Sequence, residues 1–508
     1  MLFNSYTFLL LFLPIACAGH SWLRRHAPRE AVLAWLNVCS LFFYGWWNPA
    51  YLPLLMLSIG CNFYLGKQLA TQANTATGKR LLITGIAMNL AALAYFKYTG
   101  FALATANAVL GTTFHTSTIV LPLAISFFTF NQIAYLVDAY EGMTDEYSFN
   151  HYTLFVSFFP HLLAGPIVHH RELIPQFFTD HDDSTRQQQW AVGITAISFG
   201  LFKKVIFADT LSGYANQVFN AASQGITQST LEAWIGVSAF NLHVYFDFSG
   251  YCDIAYGTAL LFGIVLPQNF LSPFKKPNII EFWKHWHITL SRFITSYIYT
   301  PLIRNTPGGV LFSKAMLITV ISMGIAGMWH GAGWTFIAYG LAHGILLVIN
   351  HCWRKLGIAK KLAKINAFQF ISILLTYTAV TLTMVLFRSP DLKTAGTLFT
   401  SLFSLGASPL ALHVQQPVIS DLCRQLQWDL TPAQKILPLF FFLHAWIWLL
   451  PNMQQIMANR QYAHSNIRQA ATNIVWQPNT AWSLLTAFAL VSAFMALYET
   501  GVFLYFKF

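Results

Sequence analysis

Apolar stretches long enough to span a bilayer, or nearly so, recur along the whole chain. They lie near residues 6–19, 31–47, 50–66, 81–98, 119–137, 151–168, 190–207, 231–246, 250–266, 314–329, 333–352, 366–387, 435–450 and 481–505. A simple helical span needs about 20 predominantly apolar residues, and several of these stretches are shorter. The pattern predicts an all-α polytopic membrane protein with about eleven transmembrane helices, the rest being re-entrant or tilted segments. Pro and Gly interrupt two of the runs, at Leu121–Phe127 and Phe159–Val168. Inside a membrane such breaks are tolerated where protein or a cavity satisfies the freed backbone groups. One long, weakly apolar region, 267–313, mixes Phe, Trp and Ile with Lys275, Lys276, Lys284, Arg292 and Arg304. It predicts amphipathic helices at the cytoplasmic surface. No internal repeat stands out, which weakens a repeat-built transporter, and the chain reads as a single membrane-embedded domain, 1–508, with a core at about 119–352.

Basic clusters orient the spans, because cytoplasmic loops carry an excess of Lys and Arg. Arg24, Arg25 and Arg29, Lys67 with Lys79 and Arg80, and Arg354, Lys355, Lys360, Lys361 and Lys364 all read as cytoplasmic. The turn at Trp47-Asn48-Pro49, the uncharged stretch 100–118, the loop 388–434 and the tail 503–508 then fall outside, whereas 452–480, with Arg460 and Arg468, returns to the cytoplasm. The first apolar run is followed, not preceded, by basic residues, the reverse of a secretory signal. We expect a retained helix with its N-terminus outside.

Composition agrees. Of 508 residues, 56% are hydrophobic, 16% aromatic and 9% charged, whereas a soluble domain carries about 25% charged residues. The net charge of +11 is distributed in short clusters between apolar runs, a pattern of cytoplasmic loops facing anionic lipid or a phosphorylated donor rather than of a nucleic-acid surface. The six cysteines show no CxxC spacing and read as buried hydrophobes, with neither a disulfide frame nor a metal site.

The chemistry gathers in a few polar islands. His330 stands in Met328-Trp329-His330-Gly331-Ala332-Gly333-Trp334, between two apolar runs. An intramembrane histidine is a functional-site candidate by default, and Gly327, Gly331 and Gly333 read as allowing the backbone to bend and permitting close approach of a second chain or a ligand. A neutral imidazole can take a proton from a hydroxyl or thiol at cellular pH. A second island, Phe282 to Arg292, places Trp283, Lys284, His285, Trp286 and His287 together. If it is helical, His285 and His287 point to different sides. The bland alternative there is a surface helix with an aromatic belt. A third island, Tyr245 to Asp253, carries Asp247 and Asp253, whose burial requires partners such as Lys203 and Lys204; His243 and Asp247 match an HxxxD pattern by coincidence. There is no GxSxG elbow, P-loop or GxGxxG, so serine-triad hydrolysis, NTP hydrolysis and dinucleotide redox chemistry lack their sequence supports.

Taken together, LPLAISFFTFNQIAYLVDAYEG (121–142), FFPHLLAGPIV (158–168), YFDFSGYCDIA (245–255), NFLSPFKKPNIIEFWKHWHITLSRF (269–293), MWHGAGWTFIAYGLAHG (328–344) and the closing FLYFKF (503–508) resemble the membrane-bound O-acyltransferase family. Within it, they resemble the bacterial branch of alginate and peptidoglycan O-acetylation and teichoic-acid D-alanylation. The resemblance implies a many-helix fold around a thinned centre where cytoplasmic and outer funnels meet. It matches His330 to the family's intramembrane catalytic histidine and His287 to the second histidine, after the tryptophan of the FW-x-x-WH motif. The chain departs from the pattern at Thr295-Ser296-Tyr297, where many relatives have Arg-Asp-Tyr, and at His243 and Cys252, where Gln and Ser are common.

The implied activity is movement of an acyl group, in the first place acetyl from acetyl-CoA, from the cytoplasmic side to a hydroxyl destined for a cell-surface polysaccharide or peptidoglycan. His330 would deprotonate the acceptor, His287 would position or polarise the thioester, and backbone N–H groups near the glycines would stabilise the oxyanion. Lys275, Lys276, Lys284 and Arg292 would meet the donor's phosphates, with Trp283, Trp329, Trp334, Asp247, Asn269 and His343 as further pocket candidates. No bound cofactor or metal is expected. The expected partners are a separate secreted or membrane-tethered acetyltransferase, acetyl-CoA or an acyl carrier protein, and the lipid of a bacterial inner membrane; nucleic acid is not among them. D-alanyl transfer from a carrier protein, and a transporter or proton pathway through His330, stand as alternatives.

Overall fold

The computed structural model of the chain describes residues 1–115, 119–145, 147–304, 311–357, 361–362, 364–404, 432–457, 474–497, 501 and 503. Arg460, Arg468, Asp421, Cys423, Arg424, Lys360 and residues 504–508 lie outside these. Regular structure among the described residues is helical, apart from a single bridge between Phe270 and Trp286. Seven of these helices are long and apolar enough to cross a membrane: Thr7–His26, Pro49–Thr71, Ala76–Leu110, Asp183–Ser223, Phe312–His330, Trp334–Lys355 and Asn366–Arg388. Leu437–Leu449 and Thr480–Ala496 are shorter apolar helices. The protein is a polytopic, all-α membrane protein.

The difference from about eleven simple spans has local causes. The stretches 31–47, 119–137 and 151–168 form helices of 17, 16 and 9 residues, Arg29–Gly45, Ile125–Tyr140 and Phe149–Ser157; the first reaches the lower end of the ~17–25 residues of a crossing and the other two fall below it. The last ends at Phe158, where Pro160 opens the four-residue helix Phe159–Leu162. The two stretches 231–246 and 250–266 are one helix of 32 residues, Thr230–Leu261. From Ile235 to its end every residue is buried, so side-chain packing carries the helix through Gly250 against the ~1 kcal/mol that a helical glycine costs. The loop expected at 388–434 begins instead with the helix Leu392–Phe403, capped by Asp391, whose carboxylate accepts from Thr394 N at 2.7 Å. Asp391 thus starts a helix rather than interrupting one.

The contacts gather into two compact units. One comprises Met1–Leu201, Tyr251–Gln268 and Pro478–Tyr498; its core is an aromatic cluster of Phe3, Phe8, Phe12, Phe43 and Phe159 with centroid spacings of 4.8–6.3 Å. The other comprises Phe202–Gly250, Asn269–Gln477 and Glu499–Phe508. It holds His287, His330 and His343, and all the geometry of the next section lies within it.

Candidate active site

The segment Asn269–Phe293 forms short helices, as expected of 267–313, but their aromatic side chains are buried rather than spread along a surface. Two short helices, Ile279–Trp283 and Ile288–Phe293, flank a tight turn. Asn269 to Ser272 runs alongside that turn, with Leu271 N donating to His285 O and Ile288 N to Asn269 O, both at 3.0 Å. This ladder holds His287 at φ 43°, ψ 54°, the left-handed region that costs a side-chain-bearing residue about 1–2 kcal/mol. The neighbours over-determine that conformation. Phe282, Trp283, Trp286, Leu290 and Phe293 all pack inward, which is why the aromatic half of the island is buried and not spread along a surface. His285 is only partly buried and donates to Glu281 O at 2.7 Å; His287 is fully buried. Only His287 of the two faces the interior, as their spacing requires, although a left-handed turn and not a helix separates them.

Asn269 fixes the imidazole. Its Oδ1 accepts from Thr289 N at 3.2 Å, from Thr289 Oγ1 at 2.9 Å and from His287 Nδ1 at 3.1 Å. The backbone donor identifies that atom as the amide oxygen, so His287 carries its proton on Nδ1 and Nε2 is the acceptor nitrogen. Burial pushes the His287 pKa down to about 3, which keeps the ring neutral. A neutral ring with its proton on Nδ1 cannot donate through Nε2 to a thioester carbonyl. The geometry suits it to accept a proton or a hydrogen bond.

His330 is the last residue of Phe312–His330 and is 6% exposed. That helix packs against Trp334–Lys355 with almost no gap. A Cβ added at Gly327 would lie 2.3 Å from Phe336 O, one at Gly340 2.3 Å from Met323 O, and one at Gly344 2.8 Å from Val320 Cα. These glycines serve close packing, the small-residue contact that membrane helices use in place of hydrophobic exclusion. Gly327 lies within the unbroken helix. Gly331 and Gly333 have φ of −166° and −171°, extended backbone open to any residue. What demands glycine at 331 is the Phe336 ring, 2.2 Å from a would-be Cβ, whereas 333 has room. Gly333 N donates to Gly331 O at 3.2 Å, so an oxyanion would have to find its donors elsewhere in the turn.

The two histidines meet inside an aromatic box. The rings of His287 and His330 are 6.5 Å apart between centroids, and Trp329 lies 6.0 Å from the first and 5.0 Å from the second. Phe248 packs on His287 at 4.8 Å, and Phe387 and Tyr339 on His330 at 5.4 and 6.0 Å. Phe387 gives no sign of this role in the sequence; Tyr339, nine residues after His330 in the same motif, is within reach of a helical-periodicity argument. Behind the box, Trp283 Nε1 donates to His343 Nδ1 at 3.3 Å, His343 Nε2 donates to Thr383 Oγ1 at 2.9 Å, and Thr383 Oγ1 donates to Val380 O at 2.7 Å. Both His343 nitrogens are thereby engaged, so His343 supports the wall and does not face a reactant.

Other candidates lie apart. Asp247 forms a buried cluster in which Lys204 Nζ bridges it at 2.8 Å and Asp209 at 2.6 Å; the partner expected for that carboxylate is there. His243 Nδ1 donates to Ala208 O at 2.9 Å, so the HxxxD pair is no catalytic dyad. Trp334 is 54% exposed, and as the first residue of its helix it points out of the box rather than lining it. Lys275 donates to Leu450 O at 2.7 Å, and the exposed Lys284 pairs with Glu281 at 2.9 Å. Lys276 and Arg292 are half-buried. Partial burial holds Lys275 and Lys276 below the ordinary lysine pKa, with the charge of Lys276 adding to the effect at Lys275. Among the described residues no group of three His, Cys, Asp or Glu side chains could hold a metal ion.

The model of the membrane-bound O-acyltransferase family matches residues 145–389, which include both histidines of the box. The chain is 38% identical over 421 residues to a peptidoglycan O-acetyltransferase of Helicobacter pylori, an alignment covering 78% of each protein. It belongs to the membrane-bound O-acyltransferase family. This acyltransferase is also 34% identical over 417 residues to a probable alginate O-acetylase AlgI of Pseudomonas aeruginosa, covering 81% of this chain and 76% of that one. To a teichoic acid D-alanyltransferase of Streptococcus thermophilus it is 27% identical over 291 residues, covering 52% and 68%. The protein is therefore a membrane-embedded O-acyltransferase.

Proposed function

We propose that this acyltransferase carries an acetyl group from acetyl-CoA on the cytoplasmic side to a hydroxyl that delivers it to a cell-surface polysaccharide or peptidoglycan. The observation that carries the reading is the pair His287–His330, buried 6.5 Å apart in an aromatic enclosure. His330 acts as general base: it takes the acceptor's hydroxyl proton as the oxygen attacks the thioester carbonyl, the C–S bond breaks, and the proton passes to the leaving thiolate. His287 holds the hydroxyl or thiol by accepting through Nε2, its tautomer set by Asn269. The aromatic walls exclude water, which would otherwise compete as acceptor. Lys275, Lys276, Lys284 and Arg292 meet the donor's phosphates by charge-assisted hydrogen bonds.

Acetyl is favoured over D-alanyl because the relatives at 38% and 34% identity are named for O-acetylation, and the D-alanyltransferase stands at 27%. The chain lies in a bacterial inner membrane, the polymer lies outside it, and a separate secreted or membrane-tethered acetyltransferase completes the modification there. The test is CoA release by detergent-solubilised protein given acetyl-CoA and an acceptor. His330→Ala leaves the protein in the membrane and lowers the rate by about 10²–10⁴, the usual loss on removing a general base. A variant with wild-type turnover makes His330 structural; a wild-type protein that releases no CoA makes the protein something other than an acetyl-CoA transferase.

A further inference from the structure

The unit that lacks the histidine pair contains a cavity of its own, of about 230 Å³. Its walls come from the basic end of the membrane-crossing helix Thr7–His26, the start of Arg29–Gly45 and the segment 176–186. His20, Arg24, Arg29, Arg186 and His181 line it, against the carboxylate of Asp180. Three guanidinium groups in one small cavity need anions. Arg29 meets Asp180 at 2.5 Å, and Arg24 reaches Asp183 at 3.3 Å and His181 O at 3.5 Å. Asp180 and Asp183 are themselves mostly exposed to solvent, with side chains 79% and 82% accessible, so they neutralise the cavity from its rim. The guanidinium of Arg186 makes no ion pair or hydrogen bond among the described residues. At the inner wall His20 is 5% exposed and its Nδ1 is buried with no hydrogen-bond partner among the described residues. A buried polar atom of this kind costs free energy unless a ligand or water satisfies it.

We propose that this cavity binds a phosphate ester, with Arg24 and Arg186 clasping its oxygens and His20 Nδ1 bonding its inner edge. The same helix favours a lipid headgroup as the source. The cavity lies at the basic end of a membrane-crossing helix, and Trp22, 62% exposed beside Arg24 and Arg25, marks the headgroup level there, as interfacial tryptophans do. Basic pockets between membrane helices are suited to anionic headgroups.

The experiment uses the full chain, purified and stripped of lipid, then exposed to nanodiscs or mixed micelles of phosphatidylglycerol or phosphatidylcholine, with bound lipid counted by native mass spectrometry. Wild type retains phosphatidylglycerol over phosphatidylcholine, and Arg186→Gln, which breaks no ion pair and leaves the melting temperature unchanged, weakens that retention about fivefold. Arg24→Gln/Arg186→Gln weakens it further. Inorganic phosphate is the second arm. If phosphate saturates wild type in an Arg186-dependent way but no lipid is retained selectively, the phosphate site stands and its source is a soluble ester. Equal retention of both lipids by wild type and variants, with no Arg186-dependent phosphate binding, overturns the proposal.

Discussion

Asn269→Ala isolates the device that orients the second histidine. The substitution removes one acceptor from three buried donors, His287 Nδ1, Thr289 N and Thr289 Oγ1. A buried donor left without its acceptor costs about 1–3 kcal/mol. The hydroxyl can turn to another acceptor, and relaxation of the left-handed backbone at His287 offsets about 1–2 kcal/mol. Two donors at about 1–3 kcal/mol each, less that relief, leave a net loss of up to about 5 kcal/mol, concentrated in the turn that carries His287. With its tautomer and orientation released, the imidazole no longer presents Nε2 to the reactant, and kcat falls about 10- to 100-fold, the range seen when a supporting hydrogen bond is removed from a site. Asn269→Asp separates packing from protonation. It keeps every acceptor contact but sets a carboxylate beside an imidazole that burial otherwise holds at about 3. The added negative charge favours the cation and raises that pKa, so the acid limb of kcat/KM moves to higher pH. The assay is CoA release across a pH series, with thermal unfolding in detergent measured on each variant. A folded Asn269→Ala protein with wild-type kcat, or an Asn269→Asp protein with an unshifted acid limb, refutes the role assigned to His287.

Two further outcomes follow from other parts of the structure. Lys276→Glu raises the KM for acetyl-CoA with kcat little changed, and the effect shrinks at high salt, where phosphate contacts are screened; Lys275→Glu adds the loss of its bond to Leu450 O, and unchanged KM values would move the donor site elsewhere. Gly340→Val forces apart Phe312–His330 and Trp334–Lys355, whose backbones would meet a Cβ there at 2.3 Å, so the variant shows a lowered melting temperature and lost activity together; a stable, active Gly340→Val protein would show that the helix contact is dispensable.

The long apolar runs and His330 were legible because membrane burial leaves a strong compositional trace and an intramembrane imidazole is rare within it. Lys203 and Lys204 stood as candidate partners of Asp247 because a buried carboxylate demands a cation, and it is Lys204 that meets it, while Lys203 donates to Ser249 Oγ at 3.2 Å. Local periodicity misled where tertiary packing decides. The Phe282–Arg292 island has helical composition, yet the bridge from Asn269–Ser272 turns His287 into the left-handed region, a long-range pairing that no spacing encodes. Ser249-Gly250 resembles a break but lies inside Thr230–Leu261, whose burial sustains the helix. The glycines around His330 left bending and close approach open, because a missing Cβ looks the same in a sequence whichever use is made of it; Gly327 serves helix contact, Gly331 makes way for the Phe336 ring and Gly333 has room. Trp334 is placed beside His330 by chain position alone, and the turn at Gly331–Gly333 sends it outward.

The proposed route takes an acetyl group from a cytoplasmic donor to an outer acceptor through the box formed by His287 and His330. Vesicles reconstituted with the full chain in one orientation, loaded with acetyl-labelled acetyl-CoA and bathed in polymer together with the partner transferase, test it directly. Wild type yields labelled polymer outside and free CoA inside, His330→Ala yields both about 10²–10⁴ times more slowly, and labelled polymer forms only when the partner is present. Labelled polymer appearing at the wild-type rate with His330→Ala would contradict that route.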